Sequence, residues 1–268
     1  MSGELTPEHS EVPIETLAHQ VDGVSLRTLE VVAGYDRSPV IHGVSIDVHP
    51  GEVVSIVGPN GSGKSTLLKA IVGVVEIFSG RVLVGERDVT GWASEDIARI
   101  GVGYVPQVDD VFAPLTVREN LEMGGYLLKP REVPGRIEYV LEVFPQLSRM
   151  LSRRAGKLSG GERKMLAMGR ALMLEPALVV LDEPTANLAP IIAGAVLEQH
   201  VRQLAQTGAS VLVVEQRAKA VLEISDRSYV LGGGQLRMEG TPARLAASRE
   251  FVDSFLGGRG PAAGPAEE

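Results

Sequence analysis

Nine residues, GPNGSGKST at positions 58–66, constrain this chain more than any others. They match the pattern G-x-x-x-x-G-K-[ST] and sit between an apolar run, Val53–Val57, and the helix-like LLKAIVGV. The motif works only in that strand–loop–helix context. Gly58, Gly61 and Gly63 let the backbone curl so that successive N–H groups point at phosphate oxygens. Lys64 supplies a neutralising charge, and Ser65 offers a hydroxyl to a phosphate-bound Mg²⁺. The expected fold class is therefore α/β, with a buried parallel sheet that carries the loop at its carboxyl edge.

Two more runs, 178–181 and 211–214, are short, β-branched and without alternation, as expected for parallel strands covered on both faces. Segments 26–35, 40–48 and 81–89 are also β-rich but are separated by Gly, Pro and Asp turn signals, which predicts an antiparallel layer. Between 115 and 158 the pattern turns helical. Val117, Leu121, Ile137, Val140, Leu141 and Phe144 recur at helical spacings that Pro130, Pro134 and Pro145 interrupt. A helical subdomain over about 108–160, inserted into the sheet, is expected there. Met165, Met168 and Leu172 are expected to pack in the core.

The two ends differ from the body. Residues 1–25 carry five acids and no Lys or Arg, and 257–268 read GGRGPAAGPAEE, so the ends supply −6 of the formal charge of −8. The first stretch is expected to be a flexible acidic extension with a short helix at 14–20, and the last a disordered tail. The folded unit is placed at 26–256. A near-neutral body argues against a nucleic-acid partner held by a basic face. There is no cysteine for disulfide or thiolate chemistry, and no apolar run approaches the roughly 18–20 residues that span a bilayer. The N-terminus also lacks the basic-then-apolar order of a signal peptide, so any membrane role is expected to be peripheral.

Two further motifs decide among phosphate-binding proteins. LVVLDE at 178–183 ends a buried strand in two carboxylates, which suits Asp182 to a Mg²⁺ shell and Glu183 to orienting or deprotonating an attacking water. LSGGE at 158–162, before the helical RKMLAMGRALM, exposes a serine and glycines at a helix start and so offers a second phosphate site. One nucleotide does not need two such sites. In this order and spacing, the three motifs resemble those of ATP-binding-cassette ATPases. That resemblance implies a RecA-like core and two cassettes paired head to tail, with Leu158, Ser159, Gly160, Gly161 and Glu162 of one covering ATP held by the other. It also implies that Tyr35, Gly58, Pro59, Asn60, Gly61, Ser62, Gly63, Lys64, Ser65 and Thr66 bind ATP, with Tyr35 stacking on adenine. Gln107, in GYVPQ, is implied to reach Mg²⁺ and the attacking water and to link them to the helical subdomain.

Two positions depart from the wider pattern: Gln216 stands where a histidine is usual, and Ala189 where an Asp is usual. With those departures, LDEPTANLAPII and VLVVEQRAKAVLEISDRSYVL resemble the ATP-binding subunits of branched-chain amino-acid importers, and the likeness runs over about 26–258. It implies a cytoplasmic-face, peripheral location at the inner membrane. The implied partners are a second ATPase subunit, which is a copy or a paralogue, two permease subunits and, indirectly, a solute-binding protein. Gln216 is then a catalytic-site amide, which can donate a hydrogen bond but cannot take up a proton. Rival readings are a urea or amide importer, a lipopolysaccharide-type exporter and a soluble clamp ATPase. After Gln107 the run Val108, Asp109, Asp110 departs even from this branch, and a solvated acidic pair is expected there.

Overall fold

The computed structural model describes residues 21–108, 110–249 and 251. Strands β1 (Leu26–Tyr35) and β2 (Ser38–Val48) form a hairpin; β3 (Val53–Val57) leads through the glycine-rich loop into α1 (Lys64–Ile71). Then come β4 (Glu76–Val84), β5 (Arg87–Asp88), α2 (Ser94–Arg99), β6 (Val102–Val105), α3 (Val117–Gly124), α4 (Val133–Val143) and α5 (Gly160–Leu172). The remainder comprises β7 (Leu178–Asp182), α6 (Pro190–Ala195), α7 (Arg202–Gln206), β8 (Ser210–Glu215), α8 (Ala218–Leu222), β9 (Arg227–Gly232), β10 (Gln235–Gly240) and α9 (Pro242–Ala247).

Two sheets result. One is antiparallel in the order β2-β1-β4-β5, and the other runs β10-β9-β3-β8-β7-β6, parallel except for the β10 edge. The three runs read as buried parallel strands are β3, β7 and β8, and every residue in them is buried. The segment expected as one strand at 81–89 instead starts at Glu76 and is cut by a turn at Gly85, whose positive φ of 58° suits glycine.

Helix α1 lies between the sheets. Its Leu67, Leu68 and Ile71 share a core with Val31, Ile41 and Val44 of the antiparallel sheet and Val54, Ile56, Leu212 and Val214 of the parallel one. The sheets are also tied by Arg227, whose guanidinium donates to Glu52 at 2.8 and 3.0 Å and to Asp47 at 2.8 Å. A second core covers the other face of the parallel sheet. There Val117, Leu121, Ile137, Val140, Phe144 and Leu147 pack with Met165, Met168 and Leu172 against Val105, Val179 and Val211. The helical segment at 115–158 thus shares its core with the sheet. Pro134 does not interrupt a helix as expected. It occupies the first turn of α4, where its missing N–H leaves nothing unsatisfied.

The expected acidic extension at 1–25 is partly overturned. Val21 N–H donates to Thr207 O at 2.7 Å, Val24 N–H to Ala177 O at 3.2 Å, and Ser25 O accepts from Gly85 at 2.7 Å, so the packed body begins upstream of Leu26. The expected helix at 14–20 and the tail at 257–268 lie outside the described residues. Among the described residues no helix is long and apolar enough to cross a membrane.

Between α6 and α7 the helix widens into a π-helical turn, Val196–Val201. His200 in that turn is buried, with Phe144 edge-on to its ring at 5.9 Å, and burial pushes its pKa down from 6.5 to about 4. The native state therefore binds fewer protons here than the unfolded chain. The resulting stability is fully present above pH 6.5 and is lost as pH falls toward 4, by up to about 3 kcal/mol. The urea midpoint is expected to drop more steeply between pH 6.5 and 4.5 in the wild type than in His200→Leu, and parallel curves would contradict this assignment.

Candidate active site

The glycine-rich loop bends as its sequence requires. Gly61 and Gly63 have φ of 76° and 99°, and a Cβ on Gly63 would lie 2.6 Å from Ile41 Cδ1. Helix α1 starts at Lys64 with no capping side chain and no acid in its first turn, which leaves its amide donors open to an anion. Lys64 is buried, and its Nζ donates to Gly58 O at 2.9 Å and Pro59 O at 3.1 Å. Ser62 and Thr66 are buried, and Ser62 Oγ has no partner among the described residues. Gly234 N–H donates to Ser62 O at 2.9 Å and so pins the loop to the β9–β10 hairpin.

The two carboxylates at the end of β7 reach this loop. Ser65 Oγ donates to Asp182 Oδ1 at 2.7 Å, and the Tyr104 hydroxyl lies 3.4 Å from Asp182 Oδ2. Burial and the Asp182 charge push the Tyr104 phenol up, which keeps it a donor. Glu183 adopts a left-handed backbone, φ 43°, which is strained for a residue with a side chain. Its Oε2 accepts from Gln107 Nε2 at 2.8 Å, and its Oε1 lies 3.6 Å from Lys64 Nζ. The structure thus brings together Lys64 and Ser65 from α1, Gln107 from the loop after β6, and Asp182 and Glu183 from the end of β7. Gln216 lines a cleft of about 450 Å³ together with Asn60, Gly61, Gln107 and Glu183.

Other residues are placed apart from the cleft. Tyr35 is half exposed at the end of β1, where Asp36 and Arg37 make the turn with φ of 48° and 62°. Leu158 is buried and Ser159 caps α5. The Ser159 hydroxyl accepts from Glu162 N–H at 3.3 Å while the Glu162 carboxylate accepts from Ser159 N–H at 2.7 Å. That backbone donor holds the Glu162 carboxyl below its ordinary range. Gly160 and Gly161 lie under Leu188 and Ile192, and a Cβ on Gly160 would be 2.4 Å from Leu188 Cδ2. The segment 158–162 does not line the cleft of its own chain.

Sequence reasoning missed several residues. Asp110, expected to be solvated, is buried and paired with Lys164 Nζ at 2.8 Å, and the same Nζ donates to Gln107 O at 2.9 Å. A loop acid and a helix lysine 54 positions apart carry no signal of their pairing. Thr185 and Glu215 are also buried partners, and Arg217 donates to Leu188 O at 2.7 Å. An acid closing a wholly apolar strand is a readable anomaly in VVEQ, although its partner is not. Asp109 lies outside the described residues.

Uncapped helix-start amides, a buried lysine, a hydroxyl–carboxylate pair and a glutamate joined to a glutamine form a set suited to phosphoryl-group chemistry. The sequence pattern of the ABC transporter family matches residues 41–186, more than half of the chain. A probable branched-chain amino acid transport ATP-binding protein of Archaeoglobus fulgidus, LivF, is 39% identical over 232 residues, which is 87% of this chain and 98% of that protein. The high-affinity branched-chain amino acid transport ATP-binding protein BraG of Pseudomonas aeruginosa is 42% identical over 224 residues, 84% and 96% of the two chains. Among solved structures, the ADP conformation of an ATP-binding cassette of an ABC transporter superposes with a TM-score of 0.78 at 32% identity, covering 87% of this chain and 99% of that one. The chain therefore belongs to the ABC transporter family and is one of its ATP-binding cassettes, an ATPase.

Proposed function

We propose that this cassette hydrolyses ATP to energise an importer of branched-chain or related amino acids. The observation that carries the catalytic part is the convergence of Lys64, Ser65, Asp182, Glu183 and Gln107 at the carboxyl edge of the parallel sheet. The loop 58–66 binds the phosphates of ATP, with Lys64 turning from the Gly58 and Pro59 carbonyls toward them. Tyr35 supplies an aromatic face for adenine. Glu183 orients or deprotonates the attacking water, and Gln107 and Gln216 donate hydrogen bonds beside it.

Ser65 and Asp182 offer hard oxygen donors that fit Mg²⁺, with Gln107 completing the protein side. Mg²⁺ commonly takes one or two protein oxygens and completes its shell with phosphate and water. Bound there, Mg²⁺ supplies neutralisation of phosphate charge.

The segment 158–162 lies away from its own chain's cleft, and that separation supports completion of each site by a second cassette, a copy or a paralogue, placed head to tail. Beside Gln107 a groove of about 570 Å³ runs between α2, β6 and α3 and exposes Phe112, Met123 and Tyr126. Exposed apolar side chains grouped along one groove suit an interaction site. The proposed occupants are the permease subunits, in keeping with a peripheral location at the cytoplasmic face of the inner membrane. The likeness to LivF and BraG supports the amino-acid cargo.

Lys64→Ala is expected to abolish MgATP binding or turnover, and Glu183→Gln to bind ATP but hydrolyse it at least about 100-fold more slowly. Steady-state ATPase assays with equilibrium nucleotide binding check both, and an unchanged rate in Glu183→Gln would remove that residue from the mechanism. A double substitution, Met123→Glu with Tyr126→Glu, is expected to leave nucleotide binding intact while releasing the cassette from detergent-solubilised membranes. Affinity purification with mass spectrometry of the co-purifying membrane proteins reads this directly.

A further inference from the structure

Glu215 closes β8 with its side chain inside the protein; the residue is 2% exposed, and no ion pair among the described residues neutralises it. Burial and the nearby Glu183 push its carboxyl pKa up. A carboxylate placed there is unfavourable unless its acceptor sites are filled, and they are filled from two different turns. Oε1 accepts from Thr185 N–H at 2.9 Å and from Thr185 Oγ1 at 2.7 Å. The other side, Oε2, takes Gln216 N–H at 3.2 Å. Thr185 is fully buried and stands two residues after Glu183, in the turn that holds Glu183 at φ 43°. That turn is short and internally bonded: Ala186 N–H donates to Glu183 O at 3.0 Å and Glu183 N–H to Val214 O at 3.0 Å.

A left-handed glutamate persists only where its surroundings over-determine it. Here the over-determination comes from one side by the β-sheet bond to Val214 and from the other by the Thr185–Glu215 clamp. Lys64 and Ser65 both lie at the start of α1, where the glycine-rich loop and not that turn sets their backbone. The clamp therefore bears on the aim of Glu183 and the placement of Gln216, and not on the phosphate cradle.

We propose that Glu215, acting through Thr185, is a positioning residue for hydrolysis, holding the turn that aims the Glu183 carboxylate and the neighbouring Gln216 at the reacting phosphate. The proposal rests on the ATPase role given to Glu183 above. It separates hydrogen bonding from shape in a way that two substitutions at one site can read. Thr185→Val keeps the shape and loses the hydroxyl donor, whereas Thr185→Ser keeps the donor and loses a methyl group. Glu215→Gln is an independent second variant, because its amide can satisfy Thr185 only by turning an NH₂ toward the Gln216 N–H.

The test is steady-state ATPase kinetics with MgATP affinity measured on the same full-length preparations, after thermal unfolding has shown each to be folded. Thr185→Val and Glu215→Gln are expected to lose about 10-fold or more in kcat with ATP Kd within about 3-fold of wild type, and Thr185→Ser to retain kcat within about 3-fold. The reverse order, with Val active and Ser impaired, assigns Thr185 to packing and overturns the proposal. So does a loss of ATP affinity that parallels the loss of kcat. Glu183→Gln run alongside keeps the two levels apart: if it turns over at the wild-type rate, the catalytic reading itself fails, whatever the clamp variants do.

Discussion

Lys64 is an ammonium group inside the protein, held by two carbonyl oxygens of its own loop and facing a carboxylate 3.6 Å away. A buried cation held chiefly by neutral carbonyls is stabilised further when several negative oxygens approach it. The rest of the structure serves that condition. The helix that carries Lys64 is packed between two sheets, so neither its axis nor its N-terminus is free to move when charge enters. The carboxylates that must not neutralise the lysine completely are each engaged elsewhere, Asp182 by Ser65 and Tyr104 and Glu183 by Gln107.

The same economy of contacts joins the cleft to its surroundings. Gln107 is connected through its carbonyl to Lys164 of α5, the helix whose N-terminus bears Ser159, and Lys164 in turn is paired with Asp110 beside the exposed groove. On the other side, Arg217 grips Leu188 O, and Leu188 lies on Gly160. A displacement of either the glutamine loop or the turn after β7 therefore bears on the signature segment. Both routes are short: the first is a set of polar contacts to the buried Lys164 and Asp110, and the second joins one hydrogen bond to one apolar contact.

Much of this was legible in the sequence because the decisive signals are local. A continuous apolar run next to a glycine-rich loop declares a buried strand and a phosphate cradle, and β3, β7 and β8 formed where those runs lie. What escaped was set by partners distant in the chain. Asp110 read as a solvated loop acid until α5 supplied Lys164, and Glu215 ended an apolar strand without any local hint of Thr185. Residues 21–25 carry too little periodicity to announce a fold, and they are fixed by backbone bonds to Thr207, Ala177 and Gly85 and by the packing of Val24 on the core. Pro134 illustrates the converse: a residue that breaks helices from within begins one when it falls in the first turn.

The account stands on a phosphate-and-cation site between the glycine-rich loop and the end of β7. A crystal structure of the Glu183→Gln chain grown with ATP and Mg²⁺ tests it most directly. The account predicts nucleotide phosphates against the loop 58–66, Lys64 Nζ drawn away from the Gly58 and Pro59 carbonyls, and a cation parting the direct contact of Ser65 Oγ with Asp182 Oδ1, now 2.7 Å. Nucleotide bound elsewhere, or bound here with both the lysine and the Ser65–Asp182 contact undisturbed, would contradict it.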